Sequence, residues 1–79
     1  MKLEDSEIRQ KIRKKLIHCR REAGLTQAEV GKAVGKSPTA VASWEQGYSL
    51  PDIETYLRLT KLYEKSIDYM FNLDAEGDN

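Results

Sequence analysis

Residues 25–47 read LTQAEVGKAVGKSPTAVASWEQG, and their start and stop signals decide the fold. Thr26 is placed to accept the amide of Glu29 while the Glu29 side chain returns to the Thr26 amide, the reciprocal box that opens a helix. Leu25 before this cap and Val30 after it have the spacing of a hydrophobic staple. The helix stops near Val34, because Gly35 can take the positive φ of a sharp exit. Ser37 then caps a further helix with Pro38 at its first position, where a missing N–H costs nothing. Gly47 ends it, so this helix runs from about Pro38 to Gln46. Two short helices joined by three or four residues form a helix-turn-helix, here at about 26–46. Such helices are marginal alone and need tertiary packing. Ala28, Gly31 and Ala33 are the small residues expected at the crossing, with Val41, Trp44 and Ala40 facing inward.

That inward set leaves Pro38, Thr39, Ala42, Ser43 and Gln46 outside. A helix facing only water would carry Glu, Lys or Arg there. Small and hydroxyl side chains let a backbone approach another surface, such as the roughly 12 Å major groove of B-form DNA. Alanine is also simply the best helix former, and the face by itself does not choose between the two readings.

Upstream, Ile8, Ile12, Leu16, Cys19 and Ala23 recur at helical spacing and predict a first helix ending near Gly24. Downstream, Asp52 is a cap after Pro51, and Ile53, Tyr56, Leu57, Leu59, Thr60, Leu62 and Tyr63 give a fourth helix broad core coverage. Ser66 starts a fifth. Its Ile67, Tyr69, Met70, Phe71 and Leu73 exceed what one side of a short helix can hide. They either close the bundle or form a partner surface.

Seventy-nine residues make one domain, with 39% hydrophobic and 33% charged residues in the soluble globular range. No stretch approaches the roughly 20 apolar residues of a membrane span. The opening Met1-Lys2-Leu3-Glu4-Asp5 lacks the apolar run of a signal peptide, so a cytoplasmic address is expected. Residues 1–5 and the acidic tail 74–79 are expected to be flexible, leaving 6–73 as the domain. At this length no second, ligand-sensing domain is expected. The single Cys19 excludes an internal disulfide, and His18, read as having no acidic residue at ligand spacing, predicts no metal. No cofactor or small-molecule ligand is indicated. Ser43 has no His or Lys at a plausible distance, so no enzyme is expected. Formal net charge is zero, but it is segregated. Arg9, Lys11, Arg13, Lys14, Lys15, Arg20 and Arg21 follow one another without an acid, whereas Asp74, Glu76 and Asp78 close the chain. A basic run on an amphipathic helix serves either a solvated face or a polyanion.

The stretch LTQAEVGKAVGKSPTAVASWEQGYSLP resembles the helix-turn-helix of the lambda-repressor and Cro family, also called the xenobiotic-response-element type. The marks are Leu25-Thr26-Gln27, Gly35, the Trp44-Glu45-x-Gly47 exit and Pro51, and the likeness extends from about Ile8 to Leu73. It implies an all-α bundle of five helices, prokaryotic or phage, that binds double-stranded DNA as a homodimer on a palindromic operator. It gives Thr26, Gln27, Lys36 and Gln46 phosphate-facing roles. Ser37, Pro38, Thr39, Ala42 and Ser43 would face bases, and Arg20 and Glu45 would form a structural ion pair. Leu50, Tyr69, Met70, Phe71 and Leu73 are the expected dimer surface. The base-facing set holds no Arg, Gln or Asn, so readout would lean on methyl contacts and DNA shape. The loop Tyr48-Ser49-Leu50 lacks the bases many relatives carry, Gly31 stands where alanine is usual, and Lys65 replaces a commonly apolar residue. An interaction module of the same fold, such as an antitoxin or partner-recruiting regulator, is the alternative.

Overall fold

Four side-chain caps set the element boundaries. Thr26, Ser37, Asp52 and Ser66 each take extended backbone and accept an amide three residues on, that of Glu29, Ala40, Thr55 and Tyr69 respectively. The computed structural model describes residues 5–73, with side chains from Glu7 onward. Its helices are α1 (Asp5–Ala23), α2 (Gln27–Val34), α3 (Pro38–Glu45), α4 (Ile53–Leu62) and α5 (Ile67–Phe71), with no strand among the described residues. The fold is therefore all-α and five-helical. Asp5 is helical, and the rest of the expected flexible ends, residues 1–4 and 74–79, lies outside the described residues.

The box at Thr26 is complete: its Oγ1 accepts the Glu29 amide at 3.1 Å, and Glu29 Oε1 accepts the Thr26 amide at 2.8 Å. At the other end Gly35 has φ 75° and its amide donates to the Gly31 carbonyl, closing α2 with a left-handed cap. α3 ends at Glu45, with Gln46 as its cap, one residue earlier than the spacing suggested.

α2 packs on α3, α1 on α3, α2 on α4 and α4 on α5. One core joins them: Leu16, Cys19, Val30, Val34, Val41, Trp44, Tyr56, Leu59, Tyr63 and Met70 are buried, with Ile12, Leu25 and Ala40 packed against it. Several sequence expectations differ from this arrangement. Ala23 is exposed, because the chain turns away at Gly24 and leaves nothing across from the last helical position. Ile53 and Leu57 are exposed too, since the stripe of α4 that enters the core is Thr55, Tyr56, Leu59, Thr60 and Tyr63.

Ala28 and Ala33 are exposed, so Gly31 alone serves the close approach between α2 and the turn. A Cβ on Gly31 would lie 2.6 Å from the Lys36 carbonyl oxygen and 3.2 Å from the Ser37 carbonyl carbon. The Lys36 amide donates to the Gly31 carbonyl at 2.8 Å, which fixes that backbone in place. The glycine therefore answers a steric need that outweighs its low helix propensity.

Lys15 departs furthest from its place in the basic run. It is 1% exposed. Its Nζ donates to the carbonyls of Tyr69 at 2.5 Å and Asn72 at 2.8 Å, and lies 4.1 Å from the Tyr69 ring centroid. A helix end presents unpaired carbonyls and a negative dipole end, so this ammonium caps α5 from α1. Lys65 stands 5.1 Å from the same ring and donates to Glu22 Oε1 at 2.6 Å, which explains a charge before α5.

Candidate nucleic-acid interface

The outer surface of the helix-turn-helix begins at the start of α2. Thr26 is exposed and its hydroxyl oxygen is taken by the Glu29 amide, leaving the hydroxyl hydrogen to donate outward. Gln27, the first helical residue, is half-buried. Its Nε2 donates to Glu45 Oε1 at 3.1 Å, so the amide expected at a phosphate is held by α3 while keeping one N–H free to donate elsewhere. The free amides of a helix start and the dipole favour an anion at this end.

Glu45 is the point where three elements meet. Arg20 Nε donates to its Oε2 at 2.8 Å and Arg20 Nη2 to its Oε1 at 2.9 Å, while Arg20 Nη1 donates to the Leu25 carbonyl at 2.9 Å. The Glu45 side chain is 5% exposed and that of Arg20 17%. Hydrogen bonding to the carboxylate raises the guanidinium pKa further above its ordinary value, against a smaller opposing effect of burial. α1, the entry of α2 and the exit of α3 are thereby locked in one geometry, as the resemblance implied for this pair.

Lys36, Ser37, Pro38, Thr39 and Gln46 are exposed, and Ala42 and Ser43 are half-buried, all on the turn or the outer side of α3. Eight residues make α3 about 12 Å long, comparable to the width of a major groove. Val41 and Trp44 on the reverse side are buried, so the outer face is fixed by the core beneath it. The Ser37 hydroxyl oxygen accepts the Ala40 amide at 3.1 Å. Lys36 Nζ lies 3.9 Å from Asp52 Oδ2, a loose surface pair.

Two contributors at this face were not read from the sequence. Ser49 Oγ is 2.7 Å from Ser43 Oγ, which folds the loop after α3 against the outer face. Arg58 on α4 donates to the Val34 carbonyl at 3.4 Å and to Glu54 Oε2 at 2.9 Å, so it stands beside the Gly35 turn. Neither the Ser43–Ser49 contact nor the Arg58–Val34 bond follows from helical spacing, because a loop conformation makes the first and the crossing of α2 with α4 the second.

The expected dimer surface divides in two. Leu50, Phe71 and Leu73 line an apolar groove of about 200 Å³ with Ile12, Pro51, Ile53, Tyr56 and Met70. Met70 is fully buried and forms part of its floor, so it is not a surface residue. Tyr69 turns to the other side of α5, under Lys15 and Lys65, because a five-residue helix carries consecutive side chains to different faces. Tyr56 donates its hydroxyl to the Met70 carbonyl and meets Phe71 edge-on at a centroid distance of 4.9 Å.

Among the described residues no group of three His, Cys, Asp or Glu side chains could hold a metal. Contrary to the expectation for His18, an acidic neighbour stands four residues on, Glu22, with Oε2 at 3.8 Å from Nε2 across one helical turn. Burial pushes the Cys19 thiol above its ordinary range, which disfavours the nucleophilic thiolate. Among the described residues no helix is long and apolar enough to cross a membrane.

A short capped helix, a left-handed glycine turn and a second helix with an uncharged outer face define the class as a helix-turn-helix protein. The sequence model of the helix-turn-helix family matches residues 16–70, and the chain belongs to that family in its Cro/C1-type form. It is 34% identical over 61 residues, 77% of its length, to the HTH-type transcriptional regulator ImmR of Bacillus subtilis (strain 168). It is 35% identical over 60 residues, 76% of its length, to Repressor protein C2 of Salmonella phage P22. With the cryptic phage CTXphi transcriptional repressor RstR of Vibrio cholerae serotype O1 it shares 30% identity over 69 residues, 87% of its length. The matches span 48%, 28% and 62% of those proteins. No solved structure matches the chain at a significant level.

Proposed function

We propose that this chain binds DNA sequence-specifically as a transcriptional regulator, a repressor acting in the cytoplasm. It sets α3 into the major groove as a homodimer on a palindromic operator. The observation that carries the reading is the outer face of α3: Pro38, Thr39, Ala42 and Ser43 are small and uncharged, yet the helix is held rigidly by buried Val41 and Trp44. Ser37, Thr39 and Ser43 supply hydroxyls to base edges. Pro38, Ala42 and the Thr39 methyl meet thymine methyl groups. Thr26, Gln27, Lys36 and Gln46 take phosphates on either side. The family and the names of the three relatives, all regulators or repressors, support the same assignment.

Leu50, Phe71 and Leu73, with exposed Ile53, offer the apolar area for a two-fold contact. It would space two copies of α3 by about one DNA turn, roughly 34 Å. Selection of bound sequences from a random duplex library at about 50 mM salt tests the proposal. A palindrome whose binding weakens steeply as salt rises is the expected result. Recovery of no motif overturns it and favours the interaction module, for which the same apolar groove would be the docking site.

A further inference from the structure

Apart from Arg20, the basic run of α1 plays no part in the interface described above, and the loop after α3 has no base of its own. The structure brings these two facts together at Gly47. A Cβ built on Gly47 would lie 2.7 Å from Gln10 Nε2 and 3.5 Å from Arg13 Cδ, so both α1 side chains lie over the exit of α3. That exit is continuous with the outer face. The Tyr48 amide donates to the Ser43 carbonyl at 3.0 Å, and the Ser43 and Ser49 hydroxyls are 2.7 Å apart. Arg20, two turns further along α1 on the same side, is bound to Glu45 at the end of α3. This side of α1 therefore runs beside α3 from Glu45 to the loop. Arg9 and Arg13 are half-exposed, and among the described residues no carboxylate pairs with either.

We propose that Arg13, with Gln10 and Arg9, forms a phosphate-binding edge that takes the place of the bases missing from the Tyr48-Ser49-Leu50 loop. The inference rests on the DNA-binding reading and extends it to α1. A guanidinium supplies up to five donors in a fixed fork suited to phosphate oxygens. The Gln10 amide adds a neutral donor beside it. Such contacts raise affinity for every sequence alike and set the register of α3 without reading bases. The apparent neutrality of the chain is then no obstacle. Residues 9–21 contain no acid, so a polyanion along this stretch meets charge of one sign.

The test uses the full 79-residue chain with two duplexes, one recovered by selection from a random library and one of the same length scrambled. Affinity is followed against salt for the wild type, Arg13→Gln, Arg9→Gln, Arg13→Lys and Lys14→Gln. Lys14 is exposed and about 100° round the helix from Arg13, so it serves as the control. Arg13→Gln should lower the slope of log affinity against log salt by about 0.9 per bound chain. Over a fourfold rise in salt that spares about threefold in affinity per chain. The low-salt loss should be equal on both duplexes. Arg13→Lys keeps the charge and should keep the slope, and thermal melts followed by circular dichroism establish that each variant is folded. If the wild type binds and Arg13→Gln and Arg9→Gln both keep its slope, the α1 edge is overturned while DNA binding stands. If the wild type binds neither duplex, the DNA reading itself falls and this edge with it.

Discussion

Arg20 on α1 grips Glu45 at the end of α3 with two parallel bonds, Nε to Oε2 at 2.8 Å and Nη2 to Oε1 at 2.9 Å. The two partners are unequally buried, 17% against 5% exposed at the side chain, so the consequences of removing them differ. Arg20→Ala leaves a buried carboxylate with only the Gln27 amide and should cost about 3–5 kcal/mol. Glu45→Ala leaves a guanidinium that can turn toward water and should cost less. Urea denaturation of the two variants measures the asymmetry, and equal losses would show that the pair is valued for its Coulomb attraction alone.

Lys15 ties α5 to α1 through the Tyr69 and Asn72 carbonyls. Lys15→Met keeps most of the volume but removes the donor, so about 1–3 kcal/mol should be lost with its two charge-assisted bonds to these carbonyls. The loss should be local. Hydrogen exchange is expected to show α5 deprotected well before α2 and α3, and uniform deprotection would mean that Lys15 supports the whole core.

Gly31→Ala tests the close approach at the turn. On propensity alone the substitution would stabilise α2 by about 1 kcal/mol. The added methyl meets the Lys36 carbonyl oxygen at 2.6 Å, and displacing backbone of this kind costs about 1–3 kcal/mol. A fall in melting temperature is therefore expected, together with altered chemical shifts at Lys36 and Ser37. A rise would show that the turn relaxes freely.

Asp52 caps α4, and its bonds to the Thr55 amide and side chain hold its carboxyl below the ordinary value of 3.8. A folded pKa below the unfolded one gives stability that is fully present above the unfolded value and is lost as pH falls through the folded value. Asp52→Asn retains a capping oxygen but cannot titrate. Its stability should decline less than that of the wild type as pH falls below about 4, the range where an ordinary aspartate starts to protonate. Identical acid limbs would assign the decline to other carboxylates, among which Glu22 is also held low by Lys65.

Much of the fold was legible in the chain because its signals are local. Four caps, the Gly35 turn and Pro38 act within three or four residues, so their places follow from sequence neighbours, while the short helices they bound need tertiary packing to persist. The helical spacing of Leu16 with Cys19, and of Val41 with Trp44, likewise marked core faces correctly. The uncharged outer face of α3 was visible for the same reason, as the remainder after the inward side was assigned.

Tertiary packing decided everything that depends on which helix lies opposite which. It buried Lys15 within a basic run, because α5 presents its carbonyl end to α1 and only a donor can satisfy it. It split Tyr69, Met70 and Phe71 among three surroundings, left Ile53 and Leu57 in water, and laid Arg13 over Gly47. Sequence periodicity gives the direction of a side chain relative to its own helix axis. What that side chain meets depends on crossing geometry, which is set by contacts between residues 25 to 57 positions apart, such as Arg20 with Glu45 and Lys15 with Asn72.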